Sequence, residues 1–332
     1  MPVVFAALLG IVAGVAAYLY AEYRHFADAP LAPLDTATSI DVPMGTNLPG
    51  VLRVLETNGI HVGQTLYWRA LAREGGSAGR LHAGEYSLLP GITPRALLTK
   101  MVAGDVIQHH FTIVEGWTFA QTRSVLAHDA DLKQTLATTD AAGIMRELGA
   151  ADALPEGWFL PETYSYVKGM SDLDVLRRAY EAMHKALDKL WVARAPGLPL
   201  DSPYQALILA SIVEKETARV DERPQIAGVF LHRLKIGMKL QTDPSVIYGL
   251  GPSYDGNLHH RDLEADTPFN TYTRTGLTPT PIALPGLAAL TAVMHPAATQ
   301  ALYFVARGDG SHEFSANLEA HNRAVAKYQL HR

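Results

Sequence analysis

The chain has 332 residues, with 28 Lys and Arg against 33 Asp and Glu, 14 His and no cysteine. The formal net charge of −5 argues against a nucleic-acid-binding protein, which needs a basic face, so no nucleic acid is expected as a partner. The lack of cysteine excludes disulfides, a thiolate nucleophile and cysteine-bound zinc, which leaves carboxylate, histidine or hydroxyl chemistry.

The first segment is a candidate membrane anchor. Residues 2–21 (PVVFAALLGIVAGVAAYLYA) carry no charged side chain, and a helix of that length spans roughly 30 Å, about one bilayer core. A cleaved signal peptide is the alternative, but the apolar run is long for one and no Lys or Arg precedes it. We therefore predict an uncleaved transmembrane anchor over residues 1–22. Arg24 and His25 directly follow the apolar run, and by the positive-inside rule they weakly favour a cytoplasmic location for the chain after the anchor.

A linker and a small mixed module follow the anchor. Residues 23–38 are polar and rich in Pro and Ala, which is typical of a linker. Residues 39–105 alternate predicted strands and helices with short turns that contain Gly, which indicates an α+β module. Its last helix has Thr93 as a candidate N-cap and Pro94 at the first helical position. This stretch resembles a LysM-like glycan-binding module.

The remainder of the chain divides into two predicted regions. Residues 106–200 form a connecting α+β region that we expect to line a cleft, and its segment 154–169 has too many aromatic, Pro and Gly residues to be one regular element. Residues 201–332 contain two helices, long irregular loops, and a final strand and helix, and form the candidate catalytic domain. The predicted fold class is α+β: an N-terminal transmembrane helix, a small LysM-like module and a mixed α+β catalytic domain.

One helix carries the main candidate for acid–base chemistry. A helix is predicted over residues 201–220, with Ser202 as its N-cap and a proline next. On a helical wheel, Glu216 lies in the centre of the apolar arc, whereas Glu214 lies on the opposite face beside alanines. Burial raises the pKa of a carboxyl group, and a general acid needs such a raised pKa near neutral pH. A structural salt bridge of Glu216 to a buried Arg is the alternative.

Two irregular stretches offer polar side chains for a polyhydroxy ligand. The first, after the next predicted helix, contains Gln241, Thr242 and Asp243. Asp243 could instead, or in addition, act as the N-cap of a short helix that follows it. The second stretch contains Asn270 and Tyr272, which ordinary turn chemistry would also explain.

The sequence does not predict a metal or cofactor site. The histidines include two adjacent pairs, but adjacent residues on a strand point to opposite faces and chelate poorly. The spacing HExxH, the phosphate-binding glycine patterns and the GxSxG elbow do not occur.

The segments SIVEKET (211–217) and RLKIGMKLQTDPSVIYGLG (233–251) resemble the endolytic murein transglycosylase family, which is YceG-like. Further matching stretches include EGWFLPETY, FNTYTRTGL and LYFVARGDGSHEFSANLEAHN, and the matches run in order over most of residues 39–325. The resemblance implies a single-pass protein of the inner membrane with a periplasmic enzymatic part.

The resemblance also implies an activity and its residues. Its reaction is cleavage between N-acetylmuramic acid (MurNAc) and N-acetylglucosamine (GlcNAc) inside nascent glycan strands, leaving 1,6-anhydro ends. The second Glu of EKET, here Glu216, would be the acid and base, without a metal or cofactor. Peptidoglycan synthases would be partners, since the family is thought to terminate strand growth. Apart from the resemblance, the residue types themselves lead us to the following candidates for substrate binding: Gln241, Thr242, Asp243, Asn270, Tyr272, Glu214, Tyr164 and Trp158.

Two other functions are compatible with these segments. One is a non-catalytic glycan-binding membrane anchor, which the intact EKET and LQTDP segments argue against. The other is an inverting muramidase that uses Glu216 and Asp243 as a carboxylate pair and leaves reducing ends.

Overall fold

The chain divides into two structural units, each with its own core. The computed structural model describes residues 2–32, 34–77 and 79–330. Unit 1 comprises Met1–His109 with Ser165–Met170, and unit 2 comprises His110–Tyr164 with Ser171–Arg332. The division differs from the predicted boundaries, because most of the connecting region and the whole candidate catalytic region fall in one unit.

Unit 1 places helices beside a two-stranded sheet. Its elements are α1 (Pro2–Asp28), β1 (Thr38–Val42), α2 (Leu48–Thr57), α3 (Thr65–Glu74), β2 (Gly84–Leu88) and α4 (Pro94–Ala103). Strands β1 and β2 pair antiparallel, in register from Thr38 opposite Leu88 to Val42 opposite Gly84. The predicted cap of α4 is confirmed, since the Thr93 hydroxyl accepts a hydrogen bond from the Ala96 backbone N–H at 3.1 Å.

Helix α1 combines a membrane-span candidate with part of the core of unit 1. Its segment Val4–Asp28 is long and apolar enough to cross a membrane, and none of its most apolar part is buried in the protein. At the end of the helix, Phe26 packs edge-on against Trp68 with ring centroids 5.5 Å apart, and Ala27 and Leu31 are buried. The predicted linker is therefore wrong for these residues, because their apolar side chains complete the core of unit 1.

Unit 2 is mainly helical. Its helices are α5 (Phe119–Leu126), α6 (Ala141–Glu147), α7 (Asp172–Val192), α8 (Pro203–Glu216), α9 (Arg223–Lys235), α10 (Asp243–Leu250), α11 (His260–Glu264), α12 (Leu287–Met294) and α13 (Leu318–Tyr328). Strands β3 (His109–Thr112) and β4 (Thr163–Tyr166) form the sheet β3–β4, and the division between the two units falls within both strands. Strands β5 (Tyr303–Ala306) and β6 (His312–Ser315) form the sheet β5–β6 of unit 2. These elements confirm the α+β class.

Helix α8 is the central helix of unit 2. The predicted N-cap is confirmed, since Ser202 accepts a hydrogen bond from the Gln205 backbone at 3.3 Å. Every residue from 206 to 214 is buried, and the helix packs against α7, α9, α10 and α12. It ends at Glu216 and not at residue 220 as predicted, because Thr217 adopts an extended backbone and its hydroxyl accepts from the Arg219 backbone at 3.0 Å. This early end exposes one face of Glu216.

We predict that Trp68→Ala destabilises unit 1 by about 3–5 kcal/mol, because it removes a fully buried ring in α3. The change also removes the hydrogen bond that the indole donates to the Val62 carbonyl at 2.6 Å. Hydrogen exchange of the β1 and β2 amides in the full chain in detergent measures the effect. Leu66→Ala, an exposed position of the same helix, is the matched control and should change exchange little. Equal exchange in both variants would contradict the assignment of Trp68 to the core.

Candidate active site

Unit 2 contains a cleft of about 550 Å³ at the C-terminal end of α8. Five of its lining residues come from the region between α8 and residue 272: Glu216, Arg233, Gln241, Asp243 and Tyr272. The rest of the lining comes from β5, β6, α13 and Gln329, the residue after α13. Four of the predicted site residues therefore meet in one cleft, although they are up to 56 positions apart in the chain (272 − 216).

Glu216 is a carboxyl group of the cleft whose raised pKa lies near neutral pH. Its side chain is partly buried, and desolvation, together with the negative charge of Asp243, raises its pKa to about 7. The Thr242 hydroxyl donates a hydrogen bond to Glu216 and, with the charge of Arg233, opposes that rise. A carboxyl group with this pKa exists in both protonation states near neutral pH, as an acid–base catalyst requires.

Asp243 and Tyr272 form a hydrogen-bonded pair beside Glu216. The Tyr272 hydroxyl donates to Asp243 Oδ1 at 2.5 Å. Asp243 is the first residue of α10, and the N-cap position belongs to Thr242, without a side-chain cap. The capping role considered for Asp243 is therefore wrong, because its carboxylate is bonded to Tyr272 instead.

The backbone around Gln241 is held in an unusual conformation. Gln241 has φ +50°, in the left-handed region that residues other than Gly rarely adopt. Its N–H donates to the Thr271 carbonyl at 3.1 Å, and the Thr242 N–H donates to the Thr271 hydroxyl at 3.0 Å. The buried Thr271 thus fixes the segment that carries the three predicted polar residues.

Arg233 is a cleft residue that the sequence interpretation missed. Its guanidinium donates to the carbonyls of Leu240 at 2.5 Å and Leu302 at 2.6 Å, and it lies over the Tyr303 ring at 5.3 Å. These contacts tie α9 both to the segment before Gln241 and to β5. A charged side chain among apolar residues, in the helix predicted before Gln241, was the signal that could have identified it.

Asn270 supports the site from outside the cleft. It is buried, and its amide nitrogen donates to the carbonyls of Asp262, Leu263 and Ala265 at 2.7–3.1 Å. Its side-chain oxygen accepts from the Tyr272 N–H at 2.8 Å. Both functional groups are therefore used to hold the loop that carries Tyr272.

Glu214 is buried outside the cleft, where it holds other parts of unit 2 together. Its carboxylate forms an ion pair with buried Arg223 at 2.6 Å and accepts from the Gly286 N–H at 3.0 Å. The wheel placed Glu214 on a face opposite the buried one, but α8 is buried on all sides, so Glu214 is more enclosed than Glu216. Contact of Glu214 with a ligand in the cleft does not fit this position.

Trp158 and Tyr164 lie in packed surroundings and do not line the cleft. The Trp158 ring stacks on His184 and Tyr204, with centroids 4.5 and 5.7 Å apart. Tyr164 is buried and its hydroxyl donates to the Leu160 carbonyl at 2.7 Å. Trp158 therefore packs against α7 and α8, and Tyr164 closes a hydrogen bond within its own segment, so neither ring faces the cleft.

Glu156 shows that a raised pKa alone does not define a site. Burial raises its pKa to about 7 as well, but it is enclosed and does not line the cleft. It accepts hydrogen bonds from the Phe119 N–H at 2.9 Å and from the Tyr248 hydroxyl at 3.0 Å. Glu156 thus connects α5 to α10, whereas Glu216 combines the same pKa with access to a ligand.

Within residues 2–32, 34–77 and 79–330, no three His, Asp or Glu side chains come together in a way that could hold a metal ion. That the reaction needs neither a metal nor a cofactor stays a prediction.

We predict opposite pKa shifts of Glu216 in two variants of its neighbours. Thr242→Val should raise the pKa of Glu216, because it removes a donor that stabilises the carboxylate. Asp243→Asn should lower it, because it removes a nearby negative charge. Carboxyl NMR titration of the labelled full chain in detergent, with Glu216→Gln to assign the signal, measures both. Shifts in the same direction would contradict the described geometry.

Comparisons with known proteins agree with the resemblance seen in the sequence. The model of the YceG-like family matches residues 40–327. The endolytic murein transglycosylase of Bacillus subtilis (strain 168) is 30% identical over 310 residues, which cover 88% of this chain and 85% of that protein. That of Streptococcus pneumoniae serotype 2 (strain D39) is 27% identical over 347 residues, which cover 93% of this chain and 62% of that protein.

A solved structure is similar as well. The crystal structure of a YceG-like protein from Listeria monocytogenes superposes with a TM-score of 0.52 at 26% sequence identity, covering 86% of this chain and 98% of that one. Since the family model covers most of the described residues, the resemblance is confirmed. The chain belongs to the YceG-like family.

Proposed function

We propose that the chain is an endolytic peptidoglycan lytic transglycosylase that cleaves the MurNAc–GlcNAc bond within glycan strands. The names of its relatives support this activity. The observation that carries the proposal for this chain is the presence of Glu216, with a pKa of about 7, on an open cleft lined by polar side chains.

The reaction needs one carboxyl group that acts twice. Protonated Glu216 donates its proton to the glycosidic oxygen, and the bond between this oxygen and C1 of MurNAc breaks. The resulting carboxylate then takes the proton of the C6 hydroxyl, whose oxygen bonds to C1 and closes the 1,6-anhydro ring. The nucleophile belongs to the substrate, so its attack is intramolecular and needs no second carboxylate to activate water. Glu216 ends protonated and ready for another turnover.

The neighbours of Glu216 assist this step in different ways. The Asp243 carboxylate, held by Tyr272, stabilises positive charge that develops at C1 in the transition state. Thr242 orients the Glu216 carboxyl group, and Gln241 presents its amide to the sugar. Asn270 and Glu214 contribute by holding the surrounding backbone in place and do not touch the sugar. Trp158 and Tyr164 could contact sugar rings only if the packing around them opened.

Unit 1 would hold the enzyme near its substrate. Its order β1–α2–α3–β2, with antiparallel strands, supports the LysM-like interpretation. A groove of about 660 Å³ at the start of α2, lined by polar residues such as Asp41, Asn47 and Arg53, offers space for a glycan. With α1 in the inner membrane and the rest of the chain periplasmic, the cleft would act on strands emerging from peptidoglycan synthases and terminate their elongation.

A hydrolytic muramidase is the second candidate, because the two carboxyl groups of Glu216 and Asp243 line the same cleft. In that reaction one carboxyl group protonates the leaving oxygen and the other activates water. The two reactions differ in their products, since hydrolysis adds one water to each cleaved strand.

We predict that the full chain in detergent converts uncrosslinked glycan strands to internal fragments with anhydro ends. Mass spectrometry of the product ends measures this, since an anhydro end is one water lighter than a reducing end. Glu216→Gln should reduce the rate roughly 10²–10⁴-fold, because it removes the acid and base. Glu147→Gln, an exposed carboxylate on α6, is the matched control and should retain activity.

Other outcomes would contradict the proposal. Reducing ends would favour the muramidase and make Asp243 the next residue to test. Binding of glycan without cleavage by the unaltered chain would favour a glycan-binding membrane anchor.

A further inference from the structure

A carboxylate–imidazole pair lies beside the proposed site and has no part in the reaction described above. His312, the first residue of β6, lines the same cleft as Glu216. Its Nδ1 lies 2.7 Å from Oε2 of Glu222, the residue before α9. The His312 backbone N–H donates to the other carboxylate oxygen at 3.1 Å. Both side chains are only 12–13% exposed, so the pair is well enclosed.

Packing fixes the orientation of the imidazole. The Phe304 ring packs edge-on against His312, with centroids 5.6 Å apart. The hydrogen bond at Nδ1 and this aromatic contact hold the ring, and the hydrogen bond from the His312 backbone fixes the carboxylate beside it. Such an arrangement is typical of a residue whose remaining polar atom has a specific task.

The remaining ring nitrogen, Nε2, is available to a ligand. It has no hydrogen-bond partner among the residues that the structure describes, and it is not sealed from solvent. The Glu222 carboxylate accepts hydrogen bonds, so the proton of the neutral ring lies on Nδ1. In this tautomer of the neutral ring Nε2 is an acceptor, and a hydrogen-bond donor fits opposite it. The hydroxyl groups and acetamido N–H groups of the saccharide are donors of this kind.

We propose that His312 is a substrate-binding residue whose Nε2 accepts a hydrogen bond from a hydroxyl or acetamido N–H of the glycan, and that Glu222 is the positioning residue that fixes this tautomer. The inference rests on the proposed function, since it names a further contact in the same cleft. It assigns no proton transfer to His312.

The isosteric variant Glu222→Gln tests the proposal because it reverses the tautomer. The Gln oxygen can still accept from the His312 backbone, while the Gln amide donates to Nδ1. The ring proton must then move to Nε2, which becomes a donor facing a donor. We expect kcat/KM to fall roughly 5- to 100-fold, through KM rather than kcat, as for the loss of a hydrogen bond in an enclosed site. His312→Ala should cost a similar factor, and the double variant little more.

A binding measurement separates this inference from the proposed function. Histidine ¹⁵N NMR of the full chain in detergent, in a Glu216→Gln background, shows the tautomer and its response to an uncleaved GlcNAc–MurNAc oligomer. We expect the His312 Nε2 signal to move on addition of the oligomer, and Glu222→Gln to reverse the tautomer and weaken binding. His260→Ala, an exposed histidine outside the cleft, is the control for assignment and should bind as the background does.

An unmoved Nε2 signal would overturn the inference. So would a reversed tautomer with unchanged oligomer affinity. The Nε2 signal and the oligomer affinity are both measured without cleavage, so neither depends on the reaction products. Reducing ends formed by the unaltered chain would overturn the proposed transglycosylase reaction, but not the contact at His312.

Discussion

The desolvation of one carboxyl group, at the last residue of a buried helix, is the interaction on which the site depends. Helix α8 packs against four other helices, and its last residue, Glu216, is partly buried at its end. The carboxylate loses hydration there, so its pKa rises to about 7. The folded chain thus holds this proton more tightly than the unfolded chain, and this contribution to stability is lost as pH rises from about 4.5 to about 7.

The neighbours of Glu216 limit the rise of its pKa without cancelling it. A donor from Thr242 and the charge of Arg233 favour the carboxylate, whereas burial and Asp243 favour the neutral acid. Arg233 also bonds to backbone carbonyls on two sides of the cleft, so a single cation contributes both to the electrostatics and to the geometry. The proposed double role of Glu216 needs this balance, because a pKa far from neutral would leave either the acid or the base poorly populated.

The sequence predicted local features better than long-range ones. The caps at Thr93 and Ser202 depend on neighbouring residues, and both are confirmed. The helical wheel selected Glu216, but it misjudged Glu214, because a wheel assumes one exposed face and α8 has none along most of its length. Arg233 and the C-terminal wall of the cleft could not be placed, because their positions depend on tertiary packing of β5 and α9. The cleft therefore became visible only in three dimensions.

The pH dependence of kcat/KM for anhydro-end formation by the full chain tests the central claim most directly. If Glu216 must be protonated in the free enzyme, kcat/KM should fall as pH rises through about 7, at the pKa found for Glu216 by carboxyl titration. Thr242→Val should move the midpoint of the kcat/KM profile and the midpoint of the Glu216 titration to higher pH by the same amount. A rate profile that falls near pH 4.5, the ordinary value for a glutamate, or that stays fixed while the Glu216 titration moves, would contradict the account.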